Sequence, residues 1–332
     1  MLKYAIIGFG GLGKVHFQNL LEIEKQRGDI ELAAICNSDI SSLNSSVALN
    51  TRTVEVDNVE FSKYGLYTDY KEMIEKENLD FVFITLPTYL HCEVSVYCME
   101  KGLHVFCEKP MSLTLDECQK MIDTSLKTEK KLMIGHCLRF ADEYVFLKDI
   151  IDSRKYGKAV KAEFYRMSPL PTWSYNNWLL DEKKSGGCVV DMAAHEIDLI
   201  NWMFGKPEKI CSVSSHNMAS FESVFAICHY PDLSVRINVD WGLHSSFKFR
   251  SGYSVTFENA HIERIGNKVT IYTDDGAKET VIKKSNSHMR EATEFVEAIA
   301  DNKPFNTADV LSVYESMKIL FEIKNKCDGE GA

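Results

Sequence analysis

No stretch of this chain approaches about 18 consecutive apolar residues, so no membrane-spanning helix is expected. The N-terminus, Met-Leu-Lys-Tyr-Ala-Ile-Ile-Gly, lacks the long apolar core of a secretory leader. None of the 10 cysteines falls in Cys-x-x-Cys spacing, which argues against a zinc or iron–sulfur centre. They lie scattered in apolar patterns, where cysteine behaves as a small hydrophobe, and they point to a reducing cytoplasm. Basic charge is not in excess either: 38 Lys and Arg stand against 48 Asp and Glu, a net charge of -10. That balance disfavours a nucleic-acid partner, whose phosphates require a basic face. Internal repeats and low-complexity segments are also missing.

What remains is an ordinary globular composition over 332 residues, 45% hydrophobic and 26% charged. That length suggests two domains. Residues 3–8 are a short apolar run ending in glycine, as expected of a buried parallel strand. An imperfect helical stripe follows over 13–26, then a second strand over 30–36, a β-α-β unit. Residues 38–63 are polar and irregular, with a short helix and a loop expected. Further strands are predicted at 81–87, 104–107 and 132–135, and helices at 89–101 and from Thr114, where Glu117 completes a possible capping box, to about 128. Strands alternating with helices imply a doubly wound parallel sheet over 1–138.

The pattern then changes. Val235, Ile237, Val239 and Trp241 alternate with Arg236, Asn238 and Asp240, one face buried and one polar. Similar runs near 158–166, 209–217, 223–230 and 250–258 predict an antiparallel sheet. Helices are expected near 189–204, 288–301 and 308–326. Residues 139–332 therefore read as an α+β domain with a large, mostly antiparallel sheet.

Gly8-Phe9-Gly10-Gly11-Leu12-Gly13 sits between the first strand and its helix. The first glycine permits a tight turn, the second lets a pyrophosphate approach the backbone, and the third allows close helix–strand packing. The helix N-terminus offers free N–H groups to phosphates. This is the pattern of a dinucleotide-binding Rossmann domain; the bland alternative is a glycine-rich turn without ligand. At the end of the second strand Asn37, followed by Ser38, stands where an acid would hold the ribose 2′-hydroxyl, and Asp39 offers a substitute. No Arg or Lys adjoins Asn37 in sequence, so NAD is slightly favoured over NADP.

Two further segments carry chemistry. Glu108-Lys109-Pro110 ends a predicted strand. Asp191 and His195 are four apart on a predicted helix, hence on one face. A carboxylate beside an imidazole orients the ring, and His195 then serves as general base for an alcohol proton. Lys109 stabilises charge on the reacting oxygen. Gly186-Gly187, just before this pair, suggests a close backbone approach. The alternatives are a helix surface pair and a solvated loop charge. Arg166, Trp173, Tyr175, Asn176 and Trp178 read as a loop that could wall a sugar, or equally as a packed loop or subunit contact.

These segments together resemble the Gfo/Idh/MocA family of NAD(P)-dependent oxidoreductases over nearly the whole length. The resemblance rests on Gly8 to Gly13, Thr85-Leu86-Pro87-Thr88 with His91, Gly102 through Pro110, Gly135 through Phe140, and Gly186 through Asp198. It implies that Lys109, Asp191 and His195 act on a hydroxyl of a sugar, sugar derivative or cyclitol. It also implies that Thr85 to Thr88, His91, Glu108 and Lys109 lie at the cofactor, and that the antiparallel sheet makes homodimer or homotetramer contacts. Asn37 departs from the NAD pattern. Two other readings stay open: an NAD-dependent glycoside hydrolase working by transient oxidation, and a non-catalytic cofactor-bound sensor. No metal is expected.

Overall fold

The structure is a computed structural model that describes residues 1–49, 53–56, 59–215 and 222–327. The chain divides into two compact units, residues 1–136 with 288–311, and residues 137–287 with 312 onward. The expected boundary at 138/139 thus falls two residues earlier, and a late segment returns to the first unit.

In the first unit β1 (Leu2–Ile7) leads through α1 (Gly11–Arg27) to β2 (Ile30–Cys36), as the sequence predicts. The polar stretch that follows holds a short hairpin, β3 (Val47–Ala48) and β4 (Thr53–Val54), and then β5 (Gly65–Tyr67). Beyond it come α2 (Tyr70–Lys76), β6 (Phe81–Ile84), α3 (His91–Glu100), β7 (His104–Glu108), α4 (Leu115–Thr128) and β8 (Leu132–Gly135). The six-stranded parallel sheet runs β5-β2-β1-β6-β7-β8. β5 escaped the sequence reading because three half-buried edge residues carry no periodic signal. At the start of α4, Thr114 Oγ1 accepts the Glu117 N–H at 3.2 Å, but Glu117 turns its carboxylate to Ser112, so half of the expected capping box forms.

In the second unit α5 (Asp142–Ser153) precedes β9 (Ala159–Pro169), α6 (Glu182–Ser185) and α7 (Ala194–Phe204). Seven strands follow: β10 (Lys209–Ser215), β11 (Ser223–His229), β12 (Ser234–Leu243), β13 (Arg250–Phe257), β14 (His261–Ile265), β15 (Lys268–Thr273) and β16 (Gly276–Val281). The eight-stranded sheet has the order β10-β11-β12-β9-β13-β14-β15-β16 and is antiparallel except where β12 lies beside β9. Residues 216 and 217, expected to end a strand, lie outside the described residues. Val235, Ile237, Val239 and Trp241 are buried, and the segment around 188–204 packs on this face.

Two helices close the chain, α8 (Ser287–Ala300) and α9 (Val310–Cys327). α8 belongs to the first unit for a packing reason. Its Phe295 ring meets Phe81, Phe83 and Phe106 at centroid distances of 5.8, 5.3 and 5.7 Å, covering one face of the parallel sheet. Eight of the ten cysteines are buried. Burial pushes Cys36 up to about 12, away from thiolate reactivity. Among the described residues no helix is long and apolar enough to cross a membrane.

Candidate active site

The glycine turn has the geometry that its spacing requires. Gly8 has φ +93°, and a Cβ there would lie 2.8 Å from the Thr85 carbonyl oxygen. A Cβ on Gly13 would strike the Gly8 carbonyl, so α1 approaches β1 only because that side chain is absent. At Gly10, the N-cap of α1, a Cβ would meet nothing within 4 Å. The helix N-terminus therefore has open space beside its free N–H groups, as a pyrophosphate needs. The residues present fit a dinucleotide.

The neighbouring groups mostly brace this turn. Thr85 Oγ1 donates to the Gly8 carbonyl at 2.6 Å. The Phe9 N–H donates to Asn37 Oδ1 at 3.0 Å, while the Asn37 amide donates to the Asp39 carbonyl at 2.8 Å and to Ser42 at 3.2 Å. Asn37 is thus a strut between the glycine turn and the next loop, a task that needs both an acceptor and a donor. Phe9 itself turns inward onto Phe17 and Phe61. Lys14 is fully buried, with its ammonium on the Leu43 carbonyl and over the Phe9 ring. Burial lowers its pKa. No local pattern marks this cation in the sequence, because its partner carbonyl lies 29 residues away.

Thr85 to Thr88 form the loop after β6. His91 ties that loop to the one carrying Lys109: its Nε2 lies 2.8 Å from the Leu86 carbonyl and its Nδ1 2.8 Å from the Pro110 carbonyl. The buried Thr88 hydroxyl finds no partner among the described residues. Lys109, just past the end of β7, is half-buried. Glu108 points inward, with Oε1 2.7 Å from His16 Nε2 and Oε2 accepting the Lys109 N–H at 3.1 Å. Its carboxylate is engaged by the protein itself.

In the second unit the expected helix over 189–204 is not uniform. Cys188–Met192 form a π-helical turn, and α7 starts only at Ala194. Asp191 lies in that wider turn and His195 in the first turn of α7, both half-buried. Single π turns of this kind often mark functional sites. Gly186 and Gly187 have φ +75° and +71°, and a Cβ on Gly186 would strike Val190. The close approach at Gly186 is therefore internal, between its backbone and Val190.

Arg166 corrects the sequence reading. It is not on the loop but within β9, buried, with Nε at 2.9 and 3.0 Å from the two oxygens of Glu196, the residue after His195. One nitrogen, Nη2, finds no partner among the described residues. The alternating pattern of β9 placed 166 in a strand, and the loop reading overrode that signal. Of the rest, Trp173 lies in a turn and Tyr175, Asn176 and Trp178 lie in the distorted 3-10 segment Tyr175–Leu180 rather than in an open loop; Trp173 is 38% and Tyr175 72% exposed, Trp178 is half-buried, and Asn176 takes a left-handed φ of 50°.

Comparison with known proteins agrees with this geometry. Residues 2–136 match the oxidoreductase family with an NAD-binding Rossmann fold, and residues 144–279 match the GFO/IDH/MocA C-terminal domain. The chain belongs to the Gfo/Idh/MocA family. Among its relatives are the inositol 2-dehydrogenase of Salmonella typhimurium, 29% identical over 64% of this chain and 57% of that protein, and the myo-inositol 2-dehydrogenase of Thermotoga maritima, 27% identical over 85% and 78%. The match thus spans little more than half the length of the Salmonella relative. The solved myo-inositol 2-dehydrogenase of Lactobacillus plantarum superposes with a TM-score of 0.79 at 27% identity, over 98% of this chain and 97% of that one.

Proposed function

We propose that this protein is an NAD(P)-dependent oxidoreductase that moves a hydride between a nicotinamide and a hydroxyl-bearing carbon of a sugar, sugar derivative or cyclitol. The observation that carries this reading is the glycine turn: a left-handed Gly8, a Gly13 that admits no side chain, and open space at Gly10 beside the start of α1. Gly8 to Gly13 hold the pyrophosphate, and the strand-end loops at Thr85–Thr88 and Glu108–Lys109 hold the nicotinamide end. When bound, the nicotinamide accepts or returns the hydride. His195 takes the hydroxyl proton, Asp191 orients the imidazole, and Lys109 stabilises negative charge on the same oxygen. Trp173, Tyr175, Asn176 and Trp178 contribute a substrate wall of aromatic and amide surfaces. NAD is the favoured cofactor, since Asn37 and Asp39 offer no cation to a 2′-phosphate.

A reduced-nicotinamide absorbance screen of inositols, aldoses and polyols with both cofactors tests this. His195→Ala is expected to lower turnover by about 10²- to 10⁴-fold with little change in cofactor affinity. Lys109→Ala should lose a comparable factor. Near-normal turnover in His195→Ala would remove the histidine from the reaction. We further propose a homodimer or homotetramer through the outer face of the eight-stranded sheet, where Phe225 and Ile227 are 46% and 43% exposed. A monomeric mass in light scattering would contradict it.

A further inference from the structure

Three ionisable side chains from three separate elements meet inside the first unit, and two of them, His16 and Glu291, have no role assigned above. They are His16 on α1, Glu108 at the end of β7 and Glu291 on α8, all buried, with donor atoms within 4.8 Å of one another. His16 sits in an aromatic cage: its ring centroid is 5.4 Å from Phe83, 5.0 Å from Phe106 and 5.9 Å from His288. Its Nε2 lies 2.7 Å from Glu108 Oε1, and its Nδ1 finds no partner among the described residues.

That arrangement defines the proton inventory. No acceptor meets Nδ1 as the side chains stand, so an imidazolium would carry a second buried N–H without a hydrogen bond, although the Glu291 carboxylate lies in the same cluster. Burial accordingly pushes His16 below the usual imidazole range, against the opposing pull of Glu108. The lowered pKa and the bare Nδ1 both favour a neutral ring with its proton on Nε2, donated to Glu108. Burial also works to raise Glu108, but the His16 hydrogen bond and the nearby His288 and Lys109 prevail and hold the carboxylate ionised.

The two oxygens of Glu108 then have separate tasks. Oε1 takes the His16 proton, and Oε2 takes the N–H of Lys109 at 3.1 Å. One residue further on, the Pro110 carbonyl is held by His91. The backbone of Lys109 is therefore fixed on both sides, and one fixing point runs to the helix that begins at the glycine turn. An apolar residue would fill the cage at position 16 equally well by volume. What only a donor supplies is the fixed carboxylate beneath the lysine.

We propose that His16 is a positioning residue for Lys109, acting through Glu108. The proposal rests on Lys109 taking part in the reaction, and the experiment separates the two claims. His16→Leu removes the donor and keeps the bulk; His16→Gln restores an N–H within reach of Glu108. With each variant shown to be folded by circular dichroism and urea melting, kcat and both KM values are measured. His16→Leu is expected to lower kcat by about 10- to 100-fold with cofactor KM changed by less than about threefold, the usual scale for an outer partner of a reacting group. His16→Gln should recover most of that loss. Unchanged kcat in folded His16→Leu overturns the proposal, as does His16→Gln being as impaired as His16→Leu. If His16→Leu does not fold, Glu108→Gln, which keeps one acceptor for two donors, must lower kcat in the same way. Stoichiometric metal in the purified protein that disappears in His16→Gln would overturn it in favour of a metal centre. Lys109→Ala run in parallel completes the separation. An active Lys109→Ala sinks the role of the lysine itself, whereas an inactive Lys109→Ala beside an intact His16→Leu sinks only the role of His16.

Discussion

In the first unit, histidines make several of the polar links between separate segments: His16 to Glu108, His91 to the carbonyls of Leu86 and Pro110, and half-buried His104, whose Nδ1 accepts the Lys131 N–H at 2.9 Å. In the second unit the same task falls to guanidinium–carboxylate pairs: Arg139 with Asp198, Arg166 with Glu196, and Arg264 with Glu143. Burial lowers the pKa of all three histidines, so they act as neutral groups. Arginine stays charged at any accessible pH, so the second unit holds its links as ions. A link made by a neutral histidine costs less desolvation than one made by a buried cation but is sensitive to acid. A buried ion pair is indifferent to mild acid but strands a charge when one partner is removed. Two of the three pairs end on α7, at Glu196 and Asp198, one and three residues after His195. The helix bearing the proposed base is thus pinned by fixed geometry rather than by its own propensity.

The largest effect is expected where a charge is stranded. Arg139 binds Asp198 through Nε at 2.8 Å and Nη2 at 2.7 Å, and both side chains are buried. Arg139→Met should lower stability by about 3–5 kcal/mol, read as the urea unfolding midpoint. Adding Asp198→Leu should recover much of that loss, because no lone charge then remains buried. A double variant as unstable as the single one would mean that the pair itself, not the stranded charge, matters.

A smaller effect separates the units by pH. Burial first, then Lys130 and Lys131, pulls His104 down to about 4. Its unfolded value is near 6.5. Between these values the unfolded chain binds the proton and the folded one does not. The contribution is therefore complete above about pH 6.5 and is lost as pH falls toward 4. Protonation at Nδ1 would also displace the Lys131 N–H. His104→Asn retains an acceptor and cannot titrate, so its urea midpoint should fall less than that of the parent between pH 7 and pH 4.5. Equal slopes would take His104 out of the acid response.

The smallest effect sets the scale for both. Lys76 and Glu72 form an exposed pair at 2.6 Å on α2. Lys76→Ala should cost less than about 0.5 kcal/mol, because water screens the pair and two long side chains regain freedom. A loss comparable with that of Arg139→Met would erase the distinction between buried and exposed pairs.

Much of the candidate site was legible because glycines and short apolar runs act locally. Gly8, Gly10 and Gly13 announce their turn in any context, and Thr114 announces its helix start. His16 and Lys14 were not legible. They are polar residues at buried positions of α1, and they appear in the sequence only as gaps in an imperfect apolar stripe. Their partners, Glu108 and the Leu43 carbonyl, lie 92 and 29 residues away. The strand position of Arg166 was obscured for a related reason: it was grouped with the aromatic and amide residues of the following segment, while its carboxylate partner, Glu196, lies 30 residues on.

The sequence by itself determined the change from alternating strands and helices to an antiparallel sheet, the glycine turn and the candidate reacting groups. Each follows from backbone conformation or from hydrophobic period over fewer than about 20 residues. Only the tertiary structure decided that α8 returns to the first unit, that the helix before His195 opens with a π turn, and which charges neutralise one another inside. Those outcomes depend on pairings between residues far apart in the chain. Such pairings are fixed by the need to satisfy every buried polar group at once, and no local pattern encodes that requirement.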